Sequence, residues 1–351
     1  MKKVRVLVVE DSAMMRRLIG DIIRSHPELD LVATARDGLD ALEKIRSDRP
    51  DVVTMDLEMP RLDGIETLRR IMADKPLPVI MISSHTRKGN ESTMKALEAG
   101  AVDFIAKPAL SSIEESIEEL QAILPQKILA AAMARVDLIS SVTQPKIERS
   151  EAEKRVIGGR GRPRVIVAIG SSTGGPKALE SVFNAIPADL PAAVLVSQHM
   201  PPGFTLSFSQ RLNTMSPLEV KEAEDGDLLQ SGLVMVAPGG YHMVVKKGLV
   251  CLDDGPKVNF VKPSIDVMLE SLVDCGQKVL VVIMTGMGKD GAAGAAALKK
   301  VKKDTVIIAQ DPATALIASM PEALIKSVAC DSQVRLEKMA MEIDRYARAL
   351  A

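Results

Sequence analysis

What most constrains the fold is an alternation that recurs down the chain: a short, wholly apolar run, an amphipathic stretch, then another apolar run. In the first third, VRVLVV (4–9), LVATA (31–35), DVVTM (51–55), PVIMIS (78–83) and VDFIA (102–106) have the β-branched density of buried strands. Between and after them, segments near 13–24, 38–47, 64–73, 91–99 and 112–123 place apolar residues at helical spacing. Strands apolar at nearly every position need cover on both faces. Repeated strand–helix pairs with right-handed crossovers give a parallel sheet between helices. The pattern breaks over 125–163, where a helical piece, KILAAAMARVDLI (127–139), follows Pro125 and a charged, glycine-containing tract comes after it. It resumes from 164 with RVIVAIG, AAVLVSQ, LVMVAPG, KVLVVIMTG and TVIIAQD. MVVKKGLVCL (243–252) predicts a hairpin turning at Lys247-Gly248. The reading is α/β throughout: one domain over 1–124, a partly helical linker over 125–163, and a second, mostly parallel domain with an antiparallel part over 164–351.

Composition removes several function classes. The net charge of −1 gives no electrostatic footprint for nucleic acid. Arg155, Arg160, Arg162 and Arg164 at the end of the linker share their stretch with acids and read as part of a solvated tether. Cys251, Cys275 and Cys330 form no CxxC pair, and His26, His85, His199 and His242 show no metal-ligand spacing. No apolar run approaches the roughly 18–20 residues of a membrane span. A cytoplasmic monomer without membrane insertion is expected.

In a doubly wound sheet, chemistry gathers at the carboxyl ends of the strands. Glu10 and Asp11 end the first run, Asp56 the third, Ser83 the fourth and Lys107 the fifth. Three acids at one edge repel unless a cation sits among them, and Mg²⁺ suits a few carboxylates. An Asp beside Mg²⁺ can attack a phosphoryl donor, Lys107 can meet the phosphoryl oxygens and Ser83 can donate a hydroxyl. Singly, each has a plainer reading: Asp11 and Ser83 as caps, Asp56 as a residue ordering the turn before Pro60. VVEDSAMMR, MDLEMPRLDG, MISS and DFIAKP together resemble the bacterial response-regulator receivers. That resemblance implies a flavodoxin-like (βα)5 fold with strand order 2-1-3-4-5, phosphorylation at Asp56, a Mg²⁺ site at Glu10, Asp11 and Asp56, and switch residues Ser83, Phe104 and Lys107. It also implies a cis Lys107–Pro108 bond. Glu10 stands where many receivers carry Asp.

The second domain has three polar strand ends. AIGSSTGGPKALE (168–180) takes a buried strand through Ser171, Ser172 and Thr173 into a helix opened by Pro176. It matches neither the P-loop, nor GxGxxG, nor GxSxG. SQHMPPGF (197–204) ends a strand on His199, and IMTGMGKDGAAG (283–294) leads to Asp290. A hydroxyl, an imidazole and a carboxylate are the set a serine nucleophile needs. The plainer readings are a simple turn, a structural histidine and a helix cap, with His242 a rival for any histidine role. The spacing alone does not choose between Ser171 and Ser172. IGSSTGGP, QHMPPGFT, APGG.H and TGMGKDG resemble the catalytic domain of the chemotaxis protein-glutamate methylesterases. The resemblance implies nucleophile Ser172, base His199, orienting acid Asp290, an oxyanion position at Met287 N–H, and Thr173 lining the site, with no cofactor in this half. It implies hydrolysis of glutamate γ-methyl esters on chemoreceptors, releasing methanol, with deamidation of receptor glutamines alongside. Control would lie with a chemotaxis histidine kinase acting through Asp56, the unphosphorylated receiver covering the site. A non-catalytic scaffold and a hydrolase of another ester or amide are the competing readings.

Overall fold

The computed structural model describes residues 2–84, 86–108, 113–137 and 161–351. The chain divides into two compact units, Met1–Ser141 and Val142–Ala351. The first unit runs β1 (Val4–Val9), α1 (Ala13–Ser25), β2 (Leu29–Ala35), α2 (Gly38–Asp48), β3 (Val52–Asp56), α3 (Gly64–Asp74), β4 (Val79–Ser83), α4 (Arg87–Glu98), β5 (Asp103–Ala106) and α5 (Ile113–Ala132). Its sheet has the order β2-β1-β3-β4-β5 and every pairing is parallel. Strand order reverses between β1 and β3, which opens a crevice at their carboxyl ends.

Side-chain caps set where the helices begin. Ser12 accepts from Met15 N, Asp37 from Leu39 N and Asp40 N, Asp63 from Glu66 N, and Thr86 from Gly89 N. Ser12 rather than Asp11 therefore caps α1. The Thr86 cap starts α4 four residues before the apolar periodicity becomes visible. Helix α5 also differs from expectation, continuing through Pro125 to Ala132 as one helix. A proline removes one N–H from the ladder, while the buried stripe Leu120, Leu124, Ile128 and Ala131 holds both sides of it to the same core. The cis peptide bond among the described residues is Lys262–Pro263, not Lys107–Pro108. Most of the expected linker, including Arg155 and Arg160, lies outside the described residues, as does His85.

The second unit runs β6 (Val165–Ser171), α6 (Gly175–Ala185), β7 (Ala192–Gln198), α7 (Phe204–Met215), β8 (Glu219–Glu222), β9 (Leu233–Val236), β10 (His242–Lys246), β11 (Leu249–Asp253) and α8 (Ile265–Ser271). It continues with β12 (Lys278–Ile283), α9 (Ala292–Val301), β13 (Val306–Gln310), α10 (Ser319–Ser327), β14 (Ser332–Val334) and α11 (Met339–Leu350). Seven strands pair in parallel in the order β14-β13-β12-β6-β7-β9-β8. On β6, Ile166 and Ala168 join a buried cluster with Val279, Ile265, Leu269 and Met320. The alternate residues Val165, Val167 and Ile169 are equally buried, so both faces are covered. The hairpin forms as expected: β10 and β11 are antiparallel and turn through Lys247 and Gly248, both at positive φ. The sheet order reverses between β6 and β12, which places the loops after these strands, together with the loop after β7, around one crevice.

Candidate functional site

Two constellations occupy the two crevices. In the first unit, β1 and β3 deliver Glu10, Asp11 and Asp56, whose ligand oxygens lie within 4.8 Å of one another. Lys107, just past β5, reaches across with Nζ 2.8 Å from Asp56 Oδ2 and 3.2 Å from Glu10 Oε1. Glu10 and Asp56 are buried, while Asp11 is exposed. Burial, with the Asp56 charge adding to it, pushes Glu10 up to about 7. Burial also raises Asp56, against the pull of the Lys107 hydrogen bond. One ammonium therefore does not satisfy these carboxylates. Among the described residues Glu10 Oε2 is buried without a hydrogen bond, although Lys107 Nζ is 3.1 Å away. The acidic cluster is of the kind that holds Mg²⁺ in receivers, and a divalent cation fits both this surplus charge and the all-oxygen donor set.

Ser83 and Phe104 lie toward α4 and α5. Ser83 Oγ is turned from the cluster toward α4, donating to Gly89 O at 3.2 Å and lying 2.7 Å from Thr93 Oγ1. Phe104 is buried, with Lys127 Nζ 5.7 Å from its ring centroid and 2.9 Å from its carbonyl oxygen. The Lys127 ammonium is fixed there by Asp103 Oδ1 at 2.8 Å.

In the second unit the two adjacent serines separate cleanly. Ser171 is the last residue of β6, fully buried, and donates to Gln198 Oε1 at 2.6 Å. Gln198 Nε2 in turn donates to Ser172 O at 3.0 Å and His199 O at 3.1 Å. This clamp ties the end of β6 to the end of β7 and engages the Ser171 hydroxyl. Ser172 is the first residue off the strand and is half-buried. Its N–H donates to Thr285 O at 3.0 Å, and its carbonyl accepts from Gly175 N at 2.7 Å. That tight turn runs through Gly174 at φ 76°, a conformation that favours glycine. Thr173 is buried beside it, and Thr285 Oγ1 donates to Thr173 O at 3.0 Å.

His199 Nε2 lies 2.8 Å from Asp290 Oδ2. Asp290 Oδ2 also accepts from Ile265 N at 2.6 Å. Its Oδ1 accepts from Ser264 Oγ at 2.9 Å, Asn259 Nδ2 at 3.1 Å and Asp266 N at 3.2 Å. Burial alone would raise this carboxyl. The His199 hydrogen bond and charge, with the Ile265 and Asp266 N–H groups, instead hold it well below the usual carboxylate range. Asp290 is thus an ionised acceptor facing His199 Nε2; in the neutral imidazole, that pairing puts the hydrogen on Nε2 and the lone pair on Nδ1. Among the described residues, none accepts a hydrogen bond from Met287 N–H, in the half-buried loop between β12 and Asp290. The rival His242 is committed elsewhere: Nε2 donates to Pro256 O at 2.9 Å and Nδ1 accepts from Ser264 N at 3.0 Å.

Asp290 does not cap the helix that follows it. Helix α9 starts at a glycine without a side-chain cap, and Asp266, from α8, substitutes by accepting from Gly291 N at 2.9 Å and Gly294 N at 2.6 Å. Burial and the neighbouring Asp290 push Asp266 up to about 6. Gln198, Asn259, Ser264, Asp266 and Thr285 were not singled out by the sequence. Only Gln198 left a signal, as a polar residue closing an apolar strand.

Residues 6–118 match the response regulator receiver domain family, and residues 167–343 match the CheB methylesterase family. A protein-glutamate methylesterase/protein-glutamine glutaminase of Symbiobacterium thermophilum is 46% identical over 98% of this chain and 97% of its own length. The protein of the same description from Pyrococcus horikoshii is 44% identical over 96% of this chain and 92% of its own length. That of Salmonella typhi is 40% identical over 98% and 97%.

Proposed function

We propose, from the premise that this chain belongs to the CheB methylesterase family and is a receiver-bearing protein-glutamate methylesterase/protein-glutamine glutaminase of chemotactic adaptation, that Ser172 is its nucleophile, His199 its base and Asp290 its orienting acid. The observation that carries this is the division of labour among the polar groups. Ser171 is locked to Gln198, Asp290 is held ionised against His199 Nε2, and Ser172 alone is left half-buried at the mouth of the crevice.

The reaction follows from that arrangement. Ser172 Oγ attacks the γ-ester carbonyl of a chemoreceptor glutamate while His199 Nδ1 takes the hydroxyl proton. The imidazolium that results is stabilised by Asp290. The oxyanion develops against Met287 N–H, with Thr173 lining the site. His199 returns the proton to the methoxide oxygen and methanol leaves. Water, deprotonated by His199, then opens the acyl-enzyme and releases a carboxylate with Ser172 restored. With a glutamine substrate the same sequence releases ammonia.

In the receiver, Asp56 takes the phosphoryl group from a chemotaxis histidine kinase. Glu10, Asp11 and Asp56 would hold Mg²⁺, which when bound supplies positive charge to the phosphoryl oxygens. Lys107 stays with the phosphorylated side chain as its fixed counter-charge, and Ser83 exchanges Gly89 O for a phosphoryl oxygen, with Phe104 following the change in α4. The boundaries 1–124, 125–163 and 164–351, a monomeric state and a cytoplasmic site of action complete the reading. The test is methanol release from methylated receptor membranes, with and without a phosphodonor. Ser172→Ala is expected to abolish release and Ser171→Ala to keep most of it. The reverse outcome moves the nucleophile by one residue.

A further inference from the structure

Residues 258–261 make a tight turn in which Val258 N donates to Val261 O at 3.1 Å and Val261 N to Val258 O at 3.0 Å. Its two central residues, Asn259 and Phe260, both sit at positive φ, 52° and 65°. This geometry suits Asn followed by Gly, and a bulky residue in the second position is an outlier. Phe260 is also 86% exposed, whereas Phe104, Phe183, Phe204 and Phe208 are all buried. Neither backbone preference nor solvation favours a phenylalanine here, so the gain lies outside the fold.

The turn's position says what that gain is. The Asn259 amide bridges Asp266 Oδ2 at 3.0 Å and Asp290 Oδ1 at 3.1 Å, so Phe260 is held one residue from a contact with the acid. A second aromatic, Tyr241, is 43% exposed on a loop tied to the same segment by Gly240 N donating to Lys262 O at 3.2 Å. That loop packs on Pro202, which is exposed three residues beyond His199. Two exposed aromatics and an exposed proline therefore sit on segments tethered to the His199–Asp290 pair. A methyl ester offers little area to grip, so recognition has to come from the polypeptide around it.

We propose that Phe260, with Tyr241 on the loop tied to the same segment, is the docking wedge for the substrate polypeptide, receiving apolar side chains that flank the esterified glutamate. This rests on the reading of the Ser172 site as a protein esterase. A docking contact made equally in the ground and transition states is uniform binding, which acts on KM rather than kcat. Phe260→Ala is expected to raise KM for methylated receptor membranes about tenfold or more, with kcat and the hydrolysis of a short glutamyl methyl ester peptide unchanged. Phe260→Leu should keep part of the affinity. Phe260→Gly should lose affinity like Ala yet melt higher than wild type, because the turn strain is relieved. Opposite signs for fold and docking are not expected of a merely structural residue.

An unchanged receptor KM in the Ala and Gly variants overturns the inference. So does an equal loss on receptor and short peptide. A rise in unphosphorylated activity at unchanged KM also overturns it, since the wedge would then serve this chain's own receiver. If wild type releases no methanol from receptor or peptide, it is the esterase reading that falls, taking this inference with it.

Discussion

Asp266→Asn separates two things Asp266 does. The carboxylate caps α9 through Gly291 N and Gly294 N, and it also stands as a second buried negative charge beside Asp290. Its rise from 3.8 to about 6 means the folded protein disfavours the ionised form, by on the order of 3 kcal/mol at about 1.4 kcal/mol per pH unit. The folded state binds this proton more tightly than the unfolded one. Between pH 3.8 and about 6 the native state therefore holds more protons, and this group's contribution to stability falls as pH rises through the window. An asparagine keeps an oxygen for the two N–H groups and removes the charge. Its amide meets the Asn259 amide donor, so Asn259 must flip, and one hydrogen bond worth about 1 kcal/mol is lost. The net expectation is a gain of about 2 kcal/mol at pH 8, or about 4–8 °C in Tm for a domain of this size. That gain shrinks below pH 6 and is gone toward pH 4. The chain has no Trp, and its two tyrosines, Tyr241 and Tyr346, both lie in the second unit. Near-UV circular dichroism of tyrosine thus follows that unit alone during melting. Asp266→Ala, which removes the cap as well, should destabilise at every pH. If Asp266→Asn is destabilised at pH 8 as much as Asp266→Ala, the charge is favourable where it stands and the reasoning is refuted.

Asp290→Asn should lower kcat on the order of 10⁴-fold with KM little changed, because three donors at Oδ1 against two at Oδ2 fix the amide oxygen away from His199. Its NH₂ then faces Nε2, which forces the tautomer that cannot take the serine proton; steady-state kinetics on receptor membranes reads this directly. A Cβ at Gly286 would stand 2.8 Å from Ser172 Cβ and collide with Met320 Sδ. Gly286→Ala should therefore lose about 10²-fold in kcat while far-UV circular dichroism stays native. Asp56→Asn should keep basal methanol release and lose its stimulation by acetyl phosphate, and stimulation that persists would remove Asp56 from the switch.

Much of the fold is legible in the sequence because most strands of the two main sheets are apolar runs buried along nearly their whole length. The elements that escaped are those without that pressure. EVKE of β8 and SQV of β14 are edge strands, paired on one side only, and carry no continuous apolar run. The start of α4 was hidden because RKGN is polar and only the Thr86 cap marks it. Motifs brought Ser172, His199 and Asp290 forward, but what holds them is tertiary. Gln198 clamps across 27 residues to Ser171, and Asn259 reaches 31 residues to Asp290. No local pattern announces an amide that must lie between two carboxylates. The Ser171/Ser172 ambiguity has the same origin. A strand's side chains alternate, so whether the last one points into the core or the crevice depends on where β6 ends, and it ends at Ser171.

The two crevices gather the same raw material, acids at strand ends beside a topological switch point, and treat it in opposite ways. Asp290 receives donors at 2.6 to 3.2 Å from Ile265, His199, Ser264, Asn259 and Asp266, and its pKa falls. Glu10 and Asp56 share one ammonium, their backbone donors are distant at 3.3 Å from Ser12 and 3.4 Å from Glu58, and both pKa values rise. A carboxylate that must stabilise an imidazolium gains from donors fixed before the reaction, because nothing then has to reorganise as charge develops. A carboxylate that must report its own modification gains from the reverse. Its site is strained by uncompensated charge, so a cation and a phosphoryl group change its energy substantially, and only such a difference can shift a conformational equilibrium. The supply of hydrogen-bond donors thus distinguishes the proposed switch acid from the proposed catalytic one.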